Sequence, residues 1–276
     1  MAEIKAADVA KLRKMTGAGM MDCKKALQEA DGAFDKATEI IRKKGQAVAN
    51  KRADREATEG VVLAKASGDG TKGFIIVLNC ETDFVAKNDE FIKFAESILD
   101  AALNNQPANL EELNSLSLSG KTVSEAVTEQ IGIIGEKLEL SFYNKIDATQ
   151  VTAYIHPGNK LASIIGLNQA VSNGQVGKDV AMQVAAMSPV ALDKDDVPQD
   201  IQDKEIEIGK EQARKEGKPE AILEKIAMGK LNKFFKENTL LNQDFVKENK
   251  KSVKQYLQEI DKELTVTRFV RFGLKN

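Results

Sequence analysis

Two stretches of this chain share one pattern. "EGVVLAKASGDGTKGFIIVLN" (59–79) and "VTAYIHPGNKLASIIGLN" (151–168) each hold two apolar runs separated by a polar, Gly-containing turn, and both close on an apolar run and Leu-Asn. That is the spacing of a β-hairpin. After each hairpin come an apolar helical stretch ("EFIKFAESILDAAL" and "KDVAMQVAAM"), a proline (Pro107, Pro189), another helix and a late strand ("EKLELSFYNKI" and "DKELTVTRFVRF"). A repeated strand-turn-strand module followed by helices restricts the chain to an α+β fold built from two similar units. The expectation is a β-β-α-α-β unit over 56–148 and a second over 149–276.

Ahead of the repeat, residues 5–54 read as three short helices, giving a helical domain over 1–55. Val9, Leu12 and Met15 stripe the first, Cys23, Ala26, Leu27 and Ala30 the second, and Phe34, Ala37 and Ile41 the third. Turns fall at "TGAGM" (16–20) and "ADGAF" (30–34). "KKGQAVANKRADREATEG" reads as a charged helix or linker leading out of this domain.

The second unit carries an insertion the first lacks, residues 198–237, read as a helical hairpin in which Gly217 ends one helix and Pro219 begins the next. Ile201, Ile208, Ile222, Ile226 and Leu231 form a thin apolar seam between charged faces. Such a seam suits either a projecting two-helix arm or a surface hairpin packed on the body.

Composition removes several classes of function. Lys+Arg number 40 and Asp+Glu 42, a net charge of -2, so no global field favours nucleic acid or an anionic membrane. Residues 1–55 hold 13 Lys/Arg against 8 Asp/Glu and are mildly basic. There is neither a bilayer-length apolar run nor a signal-type segment, so a soluble, cytoplasmic chain is expected. Two cysteines, Cys23 and Cys80, give neither a disulfide framework nor a C-x-x-C pattern, and one histidine, His156, excludes multi-imidazole metal clusters. The phosphate-loop, nucleophile-elbow and dinucleotide fingerprints are missing. No cofactor and no resident metal are expected.

Two places invite closer reading. Cys80 ends one apolar strand and His156 ends what reads as its counterpart, an arrangement compatible with a Cys/His hydrolase or with a buried thiol and a surface-turn histidine. In "TDFVAKN" (82–88), Thr82 or Asp83 can cap a short helix. Phe84 then either turns into the core, in phase with Phe91 seven residues on, or projects as an anchor for a partner's pocket. Met20 and Met21, beside the Gly-rich turn, read as core or as an adaptable contact patch. An RNA-binding helical adaptor built on residues 1–55 is a third class of function.

In this order, "VAKLRKMTGAGMMDCKKALQEADGAFDKATEIIRKKG", "NCETDFVAKND", "AYIHPGNKLASIIGL" and "TRFVRFG" resemble the bacterial elongation factor Ts family over nearly the whole chain. "TGAGMMDCKKAL" and "TDFVAKN" are its most specific segments. The resemblance implies a guanine nucleotide exchange factor for elongation factor Tu. Such a factor binds the GDP form, displaces Mg²⁺, promotes GDP release and is itself released by GTP, with no covalent chemistry. It also implies a ubiquitin-associated-like N-terminal domain, a core of two similar halves, and a coiled-coil arm inserted in the second. Mg²⁺ dislocation from the partner falls on Thr82, Asp83, Phe84 and Val85. Partner binding falls on Arg13, Met20 and Met21 at the N-terminus, and on Ile134, within "QIGIIGEK", and His156 beside the Phe.

Overall fold

The computed structural model describes residues 4–274. Three helices, α1 (Ala6–Thr16), α2 (Met20–Glu29) and α3 (Phe34–Arg52), come first. They enclose their own core of Val9, Leu12, Cys23, Ala26, Leu27, Ala37 and Ile41. Two departures from the sequence pattern appear here. Met15 is 59% exposed. The inward register of α1 instead runs Val9, Leu12, Thr16, and the Thr16 hydroxyl is satisfied inside by donating to Leu12 O at 2.9 Å. The third helix is not short: it runs 19 residues and takes up most of the stretch read as a charged helix or linker.

The hairpin β1 (Glu59–Ala66) and β2 (Lys72–Cys80) leads to helices α4 (Asp83–Ala86), α5 (Asp89–Asn105) and α6 (Leu110–Ser115). A small ribbon, β3 (Ser117–Leu118) with β4 (Lys121–Thr122), then leads to α7 (Val123–Ile134) and β5 (Glu139–Asp147). The sheet order is β1-β2-β5, antiparallel throughout. A second hairpin, β6 (Gln150–Ile155) and β7 (Leu161–Leu167), is followed by α8 (Gly174–Met187) and the helical pair α9 (Gln199–Lys215) and α10 (Glu220–Asn238). A ribbon of β8 (Asp244–Phe245) and β9 (Glu248–Ser252), helix α11 (Val253–Gln258) and strand β10 (Val266–Gly273) complete the described residues, and the second sheet has the order β10-β7-β6.

Alternation along the strands explains how these pieces stack. Successive side chains of a strand point to opposite faces. Val61, Leu63, Phe74, Ile76 and Leu78 face α5 and α7, with Phe91, Ile98, Val123 and Ile131 in one cluster. Their neighbours Val62, Ala64, Ile75 and Val77 meet Ile146, Val151, Ala162 and Ile164 between the two sheets. Ile165, Leu167 and Val266 look outward to Val176, Val180 and Val184 of α8. Each hairpin's second strand is therefore buried on both faces, which is why it reads as an unbroken apolar run. The β3/β4 and β8/β9 ribbons escape the sequence pattern because they are too short to show alternation. Each feeds a helix closed by a capping box, Thr122 with Glu125 and Ser252 with Gln255.

The seam of the α9–α10 pair is made of smaller residues than the isoleucines suggest. Gly209, Ala213, Leu223, Ala227 and Leu231 are its buried members, while Ile208 and Ile222 are exposed. Small side chains let the two backbones approach; Ile208 and Ile222 are turned outward, Ile201 and Ile226 are half-buried, and Leu231 lies in the seam as expected.

Gly45 of α3 packs against Gly132 of α7 and fastens the N-terminal helices to the first sheet's outer layer. The contact is asymmetric. A Cβ on Gly132 would lie 2.5 Å from the Gly45 Cα, whereas one on Gly45 would meet nothing nearer than 3.7 Å. Among the described residues no helix is long and apolar enough to cross a membrane.

Gly132→Ala is therefore expected to destabilise the protein by about 1–3 kcal/mol through overpacking. Gly45→Ala, at the same crossing, should stabilise it by about 0.5–1 kcal/mol through helix propensity; urea denaturation of both variants checks the asymmetry. A second test concerns Asp179, buried in α8, which accepts bonds from Gln175, Lys247 (2.6 Å) and Tyr256 (3.2 Å). Burial pushes its carboxyl up, but these partners outweigh burial and hold it below the usual range. Its contribution is thus complete above the unfolded value of about 3.9 and is lost as pH falls through the lower folded value. Asp179→Asn should cost about 1–3 kcal/mol at pH 7, and its deficit against wild type should shrink on acidification below pH 4.

Candidate functional site

β2 ends at Cys80, and the chain turns out of the sheet into α4, a helix of a single turn. Successive helical residues point about 100° apart. Ala86 is buried and Val85 packs against the first core cluster, so Asp83 and Phe84 are left on the outward side. Phe84 is 83% exposed, the most exposed of the large apolar side chains among the described residues. Phe91, seven residues on, is 2% exposed. The seven-residue phase does not carry across because α4 stops at Ala86 and Asn88 caps a new helix, accepting from Glu90 N at 2.8 Å. Asp83 pairs with Lys87 at 2.6 Å, and Lys87, with Lys160 contributing less, holds its carboxyl below the usual range.

One turn of helix does not sustain itself in water, since the cost of nucleation is not recovered by the few bonds that follow. Two carboxylates hold α4 from its front end. Glu136 accepts the amides of Glu81 (3.2 Å) and Thr82 (3.0 Å) and the Thr82 hydroxyl (2.7 Å). Thr82 Oγ1 in turn accepts from Val85 N at 3.4 Å as the N-cap. In the reverse direction Glu81 accepts the Lys137 amide at 2.6 Å, together with Arg52 at 2.7 Å and Arg55 at 3.0 Å. Burial pushes Glu81 up, but the Lys137 amide and the two guanidinium groups outweigh it and bring its carboxyl down to about 2. Gly135, with φ 80°, ends α7 and turns the chain so that Glu136 meets the 81–82 loop.

None of Arg52, Arg55, Glu81, Glu136 and Lys137 stood out in the sequence. The only signal was a Glu directly after an apolar strand ("CET") and another directly after a helix-ending glycine ("GEK"). Nothing in their spacing links one to the other.

The remaining anticipated residues surround this turn unevenly. Val85 lines a shallow depression of about 340 Å³ with Asn88, Glu90, Phe91, Gln130, Ile133 and Ile134. Ile134 is half-buried there, while Ile131 belongs to the core. The α1–α2 turn lies against the same end of α7: a Cβ on Gly17 would come 3.2 Å from Ile133 Cδ1. Met20 and Met21 open α2 after that turn, 44% and 62% exposed, and Arg13 is exposed on α1. His156 lies in the β6–β7 turn, its ring 2.9 Å from the Tyr154 hydroxyl. That turn is fastened to β1, with Val62 N donating to Asn159 O at 2.6 Å and Lys160 pairing with Glu59 at 2.9 Å. Glu59 pairs in register with Cys80, so the His156 turn and α4 share one end of the first sheet.

The Cys80/His156 pairing weighed for a hydrolase is not formed. His156 closes β6, the equivalent of β1 rather than of β2, and its ring partner is Tyr154. The Cys80 thiol is buried and donates to Thr82 O at 3.1 Å; burial, with Glu136 nearby, pushes it up to about 12. At neutral pH it is no nucleophile.

Comparison with known proteins identifies the family. The family model described as Elongation factor TS matches residues 81–276. The chain is 54% identical over 275 residues to elongation factor Ts of Christiangramia forsetii, covering 99% of this chain and 100% of that one. It is also 54% identical over 268 residues to that of Porphyromonas gingivalis, covering 97% of each. Against elongation factor Ts of Chloroherpeton thalassium the identity is 47% over 283 residues, covering 100% and 98%. On this match of sequence over its full length, the chain belongs to the elongation factor Ts family.

Proposed function

We propose that this chain is a cytoplasmic guanine nucleotide exchange factor for elongation factor Tu. It binds the GDP form, displaces the partner's Mg²⁺, promotes GDP release, and is itself released when GTP binds. No bond is made or broken in this reading: the chain acts by binding the nucleotide-free shape more tightly than the nucleotide-bound one. Residues 1–55 form a ubiquitin-associated-like contact domain, 56–148 and 149–276 the two halves of the core, and 198–237 a coiled-coil arm.

The observation that carries this reading is Phe84, a large apolar side chain held 83% exposed on a helix whose other residues are tied down. Burying such a ring in a partner contributes roughly 1.5–3 kcal/mol. It loses little entropy on binding, because the turn that presents it is already ordered. Thr82 and Val85 set the geometry of that turn. Asp83, on the same outward side, supplies a carboxylate against the segment that positions the partner's metal. Mg²⁺ requires near-octahedral ligands, so a small displacement of that segment is enough to weaken GDP. Ile134 and His156 flank the wedge, and Arg13, Met20 and Met21 hold the partner's nucleotide domain from the N-terminal side.

Magnitudes divide the work among these contacts. A single aromatic anchor is worth about 2–4 kcal/mol, which corresponds to a few decades of release at about 1.4 kcal/mol per decade. The N-terminal contact and the rest of the interface therefore retain the partner while the wedge acts. Linkage then requires that GDP weaken binding of the factor by the same ratio as the factor weakens GDP.

Stopped-flow release of a fluorescent GDP from elongation factor Tu at fixed Mg²⁺ tests the proposal. Wild type should accelerate release. Phe84→Ala, with folding and binding retained, should lose roughly ten- to a thousandfold, about 1.4–4 kcal/mol. An undiminished rate in the variant would sink the wedge role; no acceleration by wild type would sink the exchange reading itself.

A further inference from the structure

We infer that Glu136 is a positioning residue of the exchange reaction, holding α4 at the angle from which Phe84 meets the partner. The inference rests on the wedge reading of Phe84 and adds to it the group that aims the wedge. The bonds of Glu136 go to the residues ahead of α4 and not to Phe84. Its carboxylate instead collects three donors of residues 81 and 82, the two amides and the Thr82 hydroxyl, at 2.7 to 3.2 Å.

The geometry of the clasp is reciprocal. Residue 81 gives its amide to Glu136, while residue 137 gives its amide to Glu81 at 2.6 Å. Two loops that are 55 residues apart in sequence are thereby locked in both directions, much as a capping box locks the first turn of one helix. Three features then fix α4: the clasp at its front, Val85 and Ala86 in the core beneath, and the Asn88 cap behind. Ahead of the helix the clasp is joined only by the bond from the Cys80 thiol to Thr82 O, which leaves the 81 and 82 amides and the Thr82 hydroxyl to Glu136. Without it the 81 and 82 amides lose their acceptor and Thr82 loses the bond that orients its hydroxyl toward Val85 N. The one turn of helix is then free to fray, and Phe84 samples many directions instead of one.

Arg52, the last residue of α3, and Arg55 reach the same clasp through Glu81 at 2.7 and 3.0 Å. The position of α4 is thus referred to the N-terminal helices as well as to the sheet. In an exchange factor that contacts its partner at both places, Glu136 with Glu81 then ties the wedge to the same junction that the Gly45–Gly132 packing fastens.

Two readouts on the full-length chain test this. In Glu136→Ala the amides of residues 83–87 should exchange with deuterated solvent about tenfold faster or more in the free protein, while β2 and α5 keep their protection. The saturating rate of GDP release from elongation factor Tu should fall by about tenfold or more. In a Phe84→Ala background the same substitution should cost almost nothing further, because a group that acts through Phe84 has nothing left to aim. Glu136→Gln, which keeps one carbonyl oxygen for the amides, and Thr82→Val, which deletes only the hydroxyl bond, should give intermediate losses and serve if Glu136→Ala folds poorly. Unchanged protection over 83–87, or losses that add fully in the double variant, would overturn the inference. A normal rate in Phe84→Ala alone would remove the wedge reading and with it the role of Glu136 in exchange. Amide protection would still report separately whether the clasp holds α4.

Discussion

The rest of the structure depends on the stacking of the two three-stranded sheets on one another. Ile75 and Val77 of β2 and Ile164 of β7 meet in the layer between the sheets. Phe74, Ile76 and Leu78, on the reverse of β2, meet α5 and α7. With both faces of the central strands covered, no polar side chain can be placed along them without a partner inside. Polar function is therefore pushed to the strand ends. The step from Cys80 at 0% exposure to Phe84 at 83% takes four residues. That abrupt passage from interior to surface is what lets a rigid scaffold present a side chain at a defined angle.

Much of this was legible in the sequence because the relevant signals are local. The hairpins, the late strands and the helical pair at 199–238 announce themselves through apolar runs, turn residues and the Gly217/Pro219 stop and start. Three kinds of feature were not legible. Helix phase is readable only within one helix, so the break at Lys87 and Asn88 hid the direction of Phe84 from any argument based on Phe91. Close helix contacts made by small residues leave no apolar signature: Gly45 against Gly132, and Gly209 with Ala213 against Ala227, looked like ordinary or weak helix positions. Reciprocal polar contacts between loops carry no periodicity, so Glu81 and Glu136 were silent although they hold the one element on which the functional reading turns.

The N-terminal helices and the core also form a more continuous body than a charged linker would imply. α3 continues to Arg52 with its Gly45 against α7. Its end and Arg55 reach Glu81, and Lys137 closes over the carbonyls of Ala53 and Arg55 at 3.0 and 2.9 Å. These are bonds between groups that a flexible tether would leave in water. The basic surplus of residues 1–55 is partly spent on this junction rather than displayed as a field for a polyanion.

Phe84 also bears on how the molecule behaves in a crowded solution. An exposed aromatic ring is ordinarily a colloidal hazard, because apolar patches on different copies find each other. Here charge borders the ring: Asp83 and Lys87 form an ion pair on its own turn, and Asp89 and Glu90 open the next helix with negative charge. The ring projects from a single turn of helix, a shape suited to a concave pocket rather than to a flat surface shared by two copies. Selectivity for a cavity over a surface thus comes from a projecting ring bordered by charge, which keeps the contact residue in water.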